Sequence, residues 1–308
     1  MTSESPQRPD VYYGGQAVIE GVMIRAPAHM AVAVRHPKGN IVRHVEPLRG
    51  LYTGRVRRIP LVRGTVVLWE TLALGMRALT FSSRIAFEEE DDEGEAVEFP
   101  EAVMWGSMAL AMLFAVGIFF VGPVLLANFL ESQGLDRALV VVIEAFLRLG
   151  LLVGYLALIS LMPDIRRVFQ YHGAEHMTIH AYEAGLPLTV AEVRTRAKEH
   201  TRCGTSFLLV VVAIALVTLL VFDLLVDEGL ILRVAARILL LPPIAGLSYE
   251  VLRFGARFGA NPFVRAMFAP NIALQALTTR VPADDQIEVA IAAFETALES
   301  ATGGEAGA

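Results

Sequence analysis

The sequence contains one cysteine, Cys203, in 308 residues. A single thiol excludes an intramolecular disulfide and gives no indication of an oxidising compartment. Charge is also scarce, since Asp, Glu, Lys and Arg make up only 19% of the chain and the formal net charge is −6. The chain therefore lacks the basic excess of nucleic-acid-binding proteins, and we expect no nucleic acid among its main partners.

The N-terminus lacks the charged and then apolar layout of a cleaved signal peptide, because residues 1–10 read MTSESPQRPD. We therefore expect the first long apolar helix to stay in the membrane as an anchor.

Apolar residues, in contrast, are abundant and unevenly distributed. They make up 55% of the chain, and the mean hydropathy of +0.53 is too high for a soluble protein of ordinary composition. The runs 102–130 and 138–162 each exceed the roughly 20 residues that cross a bilayer, and 205–226 and 230–252 form a second pair. We predict a mainly α, polytopic membrane protein with about four transmembrane helices in two hairpins.

Lys and Arg are concentrated in the N-terminal region, between the two hairpins and in the C-terminal stretch, and they are absent from the short turns ESQGLD and DEG. Segments rich in these residues tend to remain cytoplasmic. We therefore expect a multi-pass protein of a plasma (inner) membrane, with both termini in the cytoplasm. The expected partners are the lipid bilayer and a membrane-associated substrate or protein.

The alternation in HMAVAVRHPKGNIVRHVEPL, broken at Pro37–Asn40, predicts a β-hairpin in a small N-terminal cytoplasmic lobe. In residues 60–87 a charged stripe favours an amphipathic helix at the membrane interface, with a fifth span as the alternative. The stripe consists of Arg63, Glu70, Arg77 and Arg84. Near the C-terminus, Asp284 begins a predicted helix whose apolar face should dock onto protein or membrane.

The sequence thus divides into eight segments. These are a disordered N-terminus (1–10), a cytoplasmic α+β lobe (11–59), an interfacial helix (60–87), an acidic linker (88–101), a first transmembrane hairpin (102–162), a His/Glu-rich helical loop (163–204), a second hairpin (205–252) and a cytoplasmic C-terminal segment with an amphipathic helix and a disordered tail (253–308).

Ionisable residues inside the apolar runs need partners, because an unpaired charge in lipid is costly. We expect Glu144 to neutralise Arg148, one helical turn away, and Glu250 to pair with Arg253 near the cytoplasmic end of the last run.

The segment FQYHGAEHMTIHAYEAG at 169–185 is the most informative for chemistry. It lies in a predicted helix that ends near Gly185. Side chains that can bind a metal ion lie on one face of that helix: His172, Glu175, His176, His180 and Glu183. Two imidazoles one turn apart can reach one ion, and the string His172-Gly-Ala-Glu175-His176 fits the inverted zinc-hydrolase pattern H-x-x-E-H, in which Glu is the general base. The alternative is a polar face that forms hydrogen bonds within the lobe.

This face extends about 16 Å at 1.5 Å per residue, so a single ion needs further ligands from elsewhere. His200 and Cys203 are candidates, although a lone cysteine is more often a small hydrophobic residue. Thr189 and Glu192 form a capping box, which predicts another helix that reaches about His200.

Five separated blocks carry a family resemblance. They are GGQAVIEGVMIR at 14–25, PDIRRVFQYHGAEHMTIHAYEAG at 163–185, HTRCGTSFLL at 200–209, LLLPPIAGLSYE at 239–250 and LQALTTRVPADDQIEVAI at 274–291. In this order they resemble the YqhQ-like family, bacterial membrane proteins of unknown function that are sometimes labelled predicted metal-dependent enzymes. The resemblance extends from Tyr13 to about Glu295.

The resemblance implies a site that draws on three of these blocks. Its residues would be Gln16, Glu20 and Arg25 from the first, His172, Glu175, His176 and Glu183 from the second, and His200 and Cys203 from the third. The family commonly has Asn at position 180, so His180 is a departure that leaves His172 and His176 as the better pair. For the first block the alternative is a tight loop shaped by its glycines.

Three functions remain open. The first is a membrane-embedded, metal-dependent enzyme of the hydrolase class with a divalent ion, zinc by donor type. In it His172 and His176 bind the ion, Glu175 activates water, and the site is completed from His200, Cys203 and Glu183. The second is a non-catalytic scaffold or assembly protein with a structural His cluster. The third is a small transporter or its accessory subunit.

Overall fold

The computed structural model describes residues 13–48, 59–88, 101–200, 203–226, 230–258 and 261–303. The predicted disordered N-terminus (1–10), most of the acidic linker and residues 304–308 of the predicted disordered tail (302–308) lie outside these ranges. The first two residues of that tail belong instead to the last helix, which ends at Gly303. The strands are β1 (Gly14–Val18), β2 (Gly21–Arg25), β3 (His29–Arg35) and β4 (Ile41–Pro47). The helices are α1 (Val62–Ala86), α2 (Glu101–Val116), α3 (Gly122–Ser132), α4 (Arg137–Ile159), α5 (Pro163–Glu183), α6 (Val190–Val193), α7 (Gly204–Leu225), α8 (Leu230–Leu239), α9 (Leu241–Phe258), α10 (Pro262–Thr278) and α11 (Asp284–Gly303). The described part of the chain is thus mainly helical, with a small N-terminal sheet.

The four strands form an antiparallel sheet in the order β1-β2-β3-β4. The predicted hairpin is confirmed as β3 and β4, which pair from His29 with Pro47 to Arg35 with Ile41. Gly39 has a φ of +94° in the connecting turn, a left-handed conformation that suits glycine. Strands β1 and β2 extend the sheet beyond the predicted hairpin.

Side chains alternate between the two faces of the sheet, as a pleated strand requires. On β2, Val22 and Ile24 pack with α5 and α11, whereas Met23 packs with α1. On β3, Ala31 and Ala33 likewise pack with α5 and α11. The lobe therefore has three layers, with α1 on one face of the sheet and with α5 and the predicted amphipathic C-terminal helix, α11, on the other.

Helix α1 lies at the predicted position, and its charged stripe contacts protein. Glu70 is 1% exposed and accepts a hydrogen bond from Arg25 Nε at 2.7 Å. Arg63 forms an ion pair with Glu250, which we expected to pair with Arg253 instead. Large apolar side chains are exposed on α1 at Trp69, Leu72, Met76 and Leu79. Helix α1 therefore has exposed apolar side chains in addition to Leu74 and Ala78, which pack against the sheet.

Within the described ranges, two helical stretches are long and apolar enough to cross a membrane, Trp105–Ser132 and Arg137–Ile159. The first contains most of α2, a π-helical turn at Gly117–Val121, and α3. The second is α4, whose first backbone N–H groups are capped by the carboxylate of Asp136. Helix α7 contains a shorter apolar stretch, Leu209–Phe222. The two long stretches coincide with the first predicted hairpin.

A buried carboxylate joins the apolar helices. Glu144 of α4 is 5% exposed, and it accepts a hydrogen bond from Arg148 at 2.6 Å, as the spacing of one turn predicts. Arg237 of α8 donates to both oxygens of Glu144, at 3.1 and 2.9 Å. Arg148 also donates to the carbonyl of Phe119 in the π-helical turn at 3.3 Å. One carboxylate thus links α4 to α8 directly and to the π-helical turn through Arg148.

Replacement of Glu144 by Ala removes the carboxylate that both guanidinium groups contact. We expect the free energy of unfolding in detergent to fall by about 3 kcal/mol or more, because breaking a buried ion pair leaves an uncompensated charge. The matched control is Glu295→Ala, since Glu295 is an exposed carboxylate 3.8 Å from Arg43. Its loss should cost less than about 1 kcal/mol. Equal losses in the two variants would contradict a stabilising role for Glu144.

Candidate metal centre on helix α5

Helix α5 packs on the sheet beside α11 and also contacts the chain that follows α10. It begins at Pro163, close to the predicted start, and the chain turns away at Gly185, which has a φ of +69°. Tyr171, Ala174 and Met177 enter the core formed with the sheet and α11. The histidines contact different parts of the chain, the loop after α6 and the end of α10.

A close backbone contact sets the distance between α5 and the segment after α10. A Cβ atom on Gly173 would lie 2.1 Å from the carbonyl oxygen of Arg280, so no larger residue fits without movement of the backbone. The Arg280 N–H donates to the carbonyl of Phe169 at 2.8 Å. This contact brings Thr278, two residues before Arg280, within reach of His172.

Three potential metal ligands converge in what we call the first donor group, which comprises His172, His176 and Cys203. Their ligand atoms all lie within 4.8 Å of one another. His172 Nε2 is 3.2 Å from Cys203 Sγ, and the centroids of the two imidazole rings are 4.4 Å apart. The structure therefore brings together the predicted histidine pair and adds the only cysteine of the chain to it.

The imidazoles of α5 form hydrogen bonds with main-chain carbonyl oxygens. The bonds are from His172 Nδ1 to Thr278 at 2.8 Å, from His176 Nδ1 to Lys198 at 2.6 Å and from His180 Nε2 to Glu199 at 2.8 Å. Because a carbonyl oxygen only accepts, each of these ring nitrogens carries the hydrogen, and the other nitrogen of a neutral ring keeps its lone pair. Histidines that bind metals usually have such a second hydrogen bond, which fixes the tautomer and the ring orientation.

Two of these carbonyls belong to a loop that we predicted from the sequence to be part of a helix. Thr189 does cap α6, as predicted, but α6 ends at Val193 and does not reach His200. The carbonyls of Lys198 and Glu199 accept hydrogen bonds from imidazoles. The predicted helix is thus too long, because its last part forms contacts with α5.

Helix α10 fixes the end of this loop through Gln275, which is fully buried. Its Oε1 accepts from the backbone N–H of His200 at 2.9 Å, and its Nε2 donates to the His200 carbonyl at 2.8 Å. The same helix packs through Leu274 with Leu152 and Leu156 of α4. Part of the predicted cytoplasmic C-terminal segment therefore lies beside an apolar helix.

Glu175 lies beside the first donor group and is 3% exposed. Its Oε2 is 3.5 Å from His176 Nε2, and its side chain is so close to Gly15 of β1 that a Cβ there would lie 2.5 Å from Oε1. Burial raises the pKa of the Glu175 carboxyl to about 7, an effect that the charge of His172 partly offsets. A carboxyl group of this kind can accept or return a proton near neutral pH.

A second donor group comprises His180, Glu183 and His200, whose ligand atoms also lie within 4.8 Å of one another. The rings of His176 and His200 are 5.6 Å apart, so the two groups adjoin. The structure therefore divides the five ligands predicted for one site. His172, His176 and Cys203 belong to the first donor group, and Glu183 and His200 join His180 in the second.

The predicted site residues of the first sequence block contact other elements. Gln16 donates from Nε2 to a carbonyl of α1 at 3.1 Å, and Arg25 also contacts α1. Glu20 has a φ of +51° in the turn between β1 and β2, and its carboxylate accepts from Arg167 at 2.7 Å and from Tyr171 at 3.2 Å. These contacts join the sheet to α1 and α5.

Comparison with known proteins agrees with the sequence blocks. Residues 59–300 match the family described as "Protein of unknown function (DUF1385)". The chain is also 37% identical over 295 residues to "Uncharacterized protein YqhQ" of Bacillus subtilis (strain 168), which covers 93% of this chain and 92% of that relative. The chain therefore belongs to the DUF1385 family, and the resemblance to YqhQ-like proteins is confirmed. No solved structure matches the chain.

The raised pKa of Glu175 predicts a pH dependence of stability in chelator-treated protein. Since the pKa rises from 4.5 to about 7 on folding, the folded state binds more protons than the unfolded state between these values. Stability should therefore fall as the pH rises through this window, by up to about 3 kcal/mol. Glu175→Gln should remove this dependence and be more stable than the wild type above the window.

Unfolding measured across this pH range checks the prediction, with Glu288→Gln as the control because that carboxylate is 52% exposed. A slope that persists unchanged in Glu175→Gln would assign the titration to another group.

Proposed function

We propose that the protein is a multi-pass membrane protein with a metal-dependent hydrolase site at its cytoplasmic face. The geometry of the first donor group is the observation that most supports this proposal. Two imidazoles and a thiol lie within 4.8 Å of one another, while the opposite ring nitrogens of both imidazoles are bound to carbonyls. This combination of a donor cluster and an orienting outer shell is characteristic of metal sites.

The donor types favour zinc. Zinc binds Cys sulfur and His nitrogen, and its catalytic sites use three protein ligands and leave a fourth position for water or substrate. Magnesium and calcium prefer oxygen ligands, which the first donor group does not contain. Zinc in this group would supply Lewis acidity and would lower the pKa of a coordinated water.

Glu175 is the residue that we assign to proton transfer. Its Oε2 is 3.5 Å from His176 Nε2, which places a carboxylate next to the first donor group. It occupies the Glu position of H-x-x-E-H, the position of the general base in the inverted zinc-hydrolase pattern. In this role Glu175 accepts the proton of the attacking water and returns it to the leaving group.

We assign four transmembrane helices, from the two long apolar stretches, from α7, and from α8 with α9. The distribution of Lys and Arg supports a topology with both termini and the donor groups in the cytoplasm of a bacterial cell. Helix α5 begins shortly after α4 ends, and Cys203 directly precedes α7. The site thus lies next to the ends of membrane helices, and this location supports a membrane-anchored or lipid-linked substrate.

One observation favours a non-catalytic scaffold as the second candidate. His176 is 2% exposed and Cys203 is 5% exposed, so the first donor group offers little surface to a substrate. In a scaffold the cluster would serve to hold α5, the loop after α6 and α10 together, and it would not need Glu175 as a base.

Cobalt titration of chelator-treated protein in detergent tests the metal site. A thiolate ligand gives bound Co²⁺ a near-ultraviolet charge-transfer band, which in the wild type should saturate at the intensity of one thiolate-bound ion per chain. The band should be absent from Cys203→Ser and from the double variant His172→Ala, His176→Ala. His44→Ala is the control, because His44 stacks on Phe81 at 4.9 Å in another part of the lobe. A wild type without the band would contradict the proposal.

Glu175→Gln separates the two candidate functions. The variant should keep the cobalt band, because the donors are intact, but it should lose most activity in cells that lack the wild-type gene, since Gln cannot accept the proton. The measurement is rescue of the deletion phenotype at matched protein levels. Full rescue by Glu175→Gln would rule out the hydrolase and favour the scaffold.

A further inference from the structure

We infer that the second donor group is a second divalent-cation site and that it forms a two-ion centre with the first donor group. This centre opens into a cavity suited to an anionic group. This inference rests on the function proposed above. The main observation in its favour is that the ligand atoms of His180, Glu183 and His200 lie within 4.8 Å of one another, directly beside the first donor group.

The separations within the second donor group are those of side chains that could share an ion. His200 Nε2 lies 3.6 Å from Glu183 Oε2, which is longer than the usual N–H···O distance. Two ligand atoms that each lie about 2.1 Å from a tetrahedral ion are about 3.4 Å apart. The rings of His180 and His200 are 4.6 Å apart, close enough for both to reach the same ion.

The second donor group also has orienting contacts. His180 donates from Nε2 to the Glu199 carbonyl, so the lone pair of the neutral ring is on Nδ1. His200 is positioned through its backbone by the two hydrogen bonds of Gln275. Two imidazoles and a carboxylate are a common ligand set for catalytic zinc and for non-haem iron(II).

An open surface cavity of about 440 Å³ adjoins this group, and its described lining includes no residue of the first donor group. Its walls are formed by His180, Glu183, Ala184, Thr195, Arg196 and Ala197. The second ion would therefore face the cavity, whereas the first would lie behind it, next to buried His176 and Cys203. This arrangement gives a substrate access to the centre despite the burial of the first donor group.

The charge of the cavity indicates what it would bind. The guanidinium of Arg196 lies in the wall and is held by hydrogen bonds to Thr195 Oγ1 at 3.0 and 2.9 Å. With a divalent ion beside it, the cavity would attract an anionic oxygen group, a phosphate or a carboxylate. Paired metal ions and an arginine are suited to the hydrolysis of such substrates.

The test combines total metal content with the cobalt band. At saturation the wild type should bind about two Co²⁺ per chain, and the charge-transfer band should report only the ion bound to Cys203. His180→Gln and Glu183→Gln should each lose about one ion and keep the full band. Gln at position 180 retains an N–H that can donate to the Glu199 carbonyl. The control His44→Gln should bind two ions.

Chelator kinetics and anion binding probe the cavity. A chelator should remove the second ion first, because only that ion faces the cavity. Inorganic phosphate should bind the two-cobalt protein and change its visible bands, and Arg196→Gln should weaken this binding about tenfold, the effect of about 1.4 kcal/mol. Arg194→Gln is the control, since Arg194 pairs with Asp284. Equal phosphate affinity in the two arginine variants would overturn the anion assignment.

The possible failures are distinguishable. If the wild type binds one ion with the full band, and if His180→Gln and Glu183→Gln have no effect, the second site is overturned. The proposed function remains intact in that case. Absence of the band would contradict the proposed function itself. One bound ion in the wild type that is lost together with its band from His180→Gln and Glu183→Gln, with unchanged thermal unfolding, would show one shared site and overturn the two-ion centre.

Discussion

The close approach of α5 to the chain that follows α10 is the constraint on which the candidate site depends. Without a side chain at Gly173, the Arg280 carbonyl can lie against the helix, and the end of α10 comes with it. From there Thr278 binds His172, and Gln275 one turn earlier fixes His200. Thr278 and Gln275, which are distant from α5 in the sequence, thus each position a histidine of one donor group.

The elements with a strong local pattern could be predicted from the sequence. The hairpin of β3 and β4 has clear alternation and a turn with Gly39, and α5 begins at Pro163 and ends before Gly185. The partners of these elements could not be predicted, because periodicity shows which face is apolar but not what covers it. The sheet is covered by α1, α5 and α11, from three separate parts of the chain. Strands β1 and β2 are short and joined by a tight turn, so they give little signal.

In the candidate site, likewise, some positions follow from the local sequence and others depend on contacts with distant parts of the chain. His172 and His176 lie one turn apart in a helix, so their proximity follows from the sequence alone. The positions of Cys203 and His200 depend on the loop after α6, whose conformation is fixed by contacts of main-chain carbonyls with imidazoles. Such acceptors leave no side-chain signature. Gln275 and Gly15 could not be identified either, because their contacts with His200 and Glu175 join parts of the chain that are far apart in the sequence, whereas Gly173 stands within the H-x-x-E-H string itself.

Helix α10 connects the site to its apolar surroundings. Its last residue, Thr278, supplies the carbonyl that orients His172, and its Leu274 packs with Leu152 and Leu156 of α4. An axial shift of α10 would stretch the bond of 2.8 Å to His172 and let the ring turn. In the membrane protein proposed above, bilayer thickness and lateral pressure would act on α4 and α10, and they would then affect how firmly the proposed ion is held. Lipid composition would in that case help to determine metal occupancy.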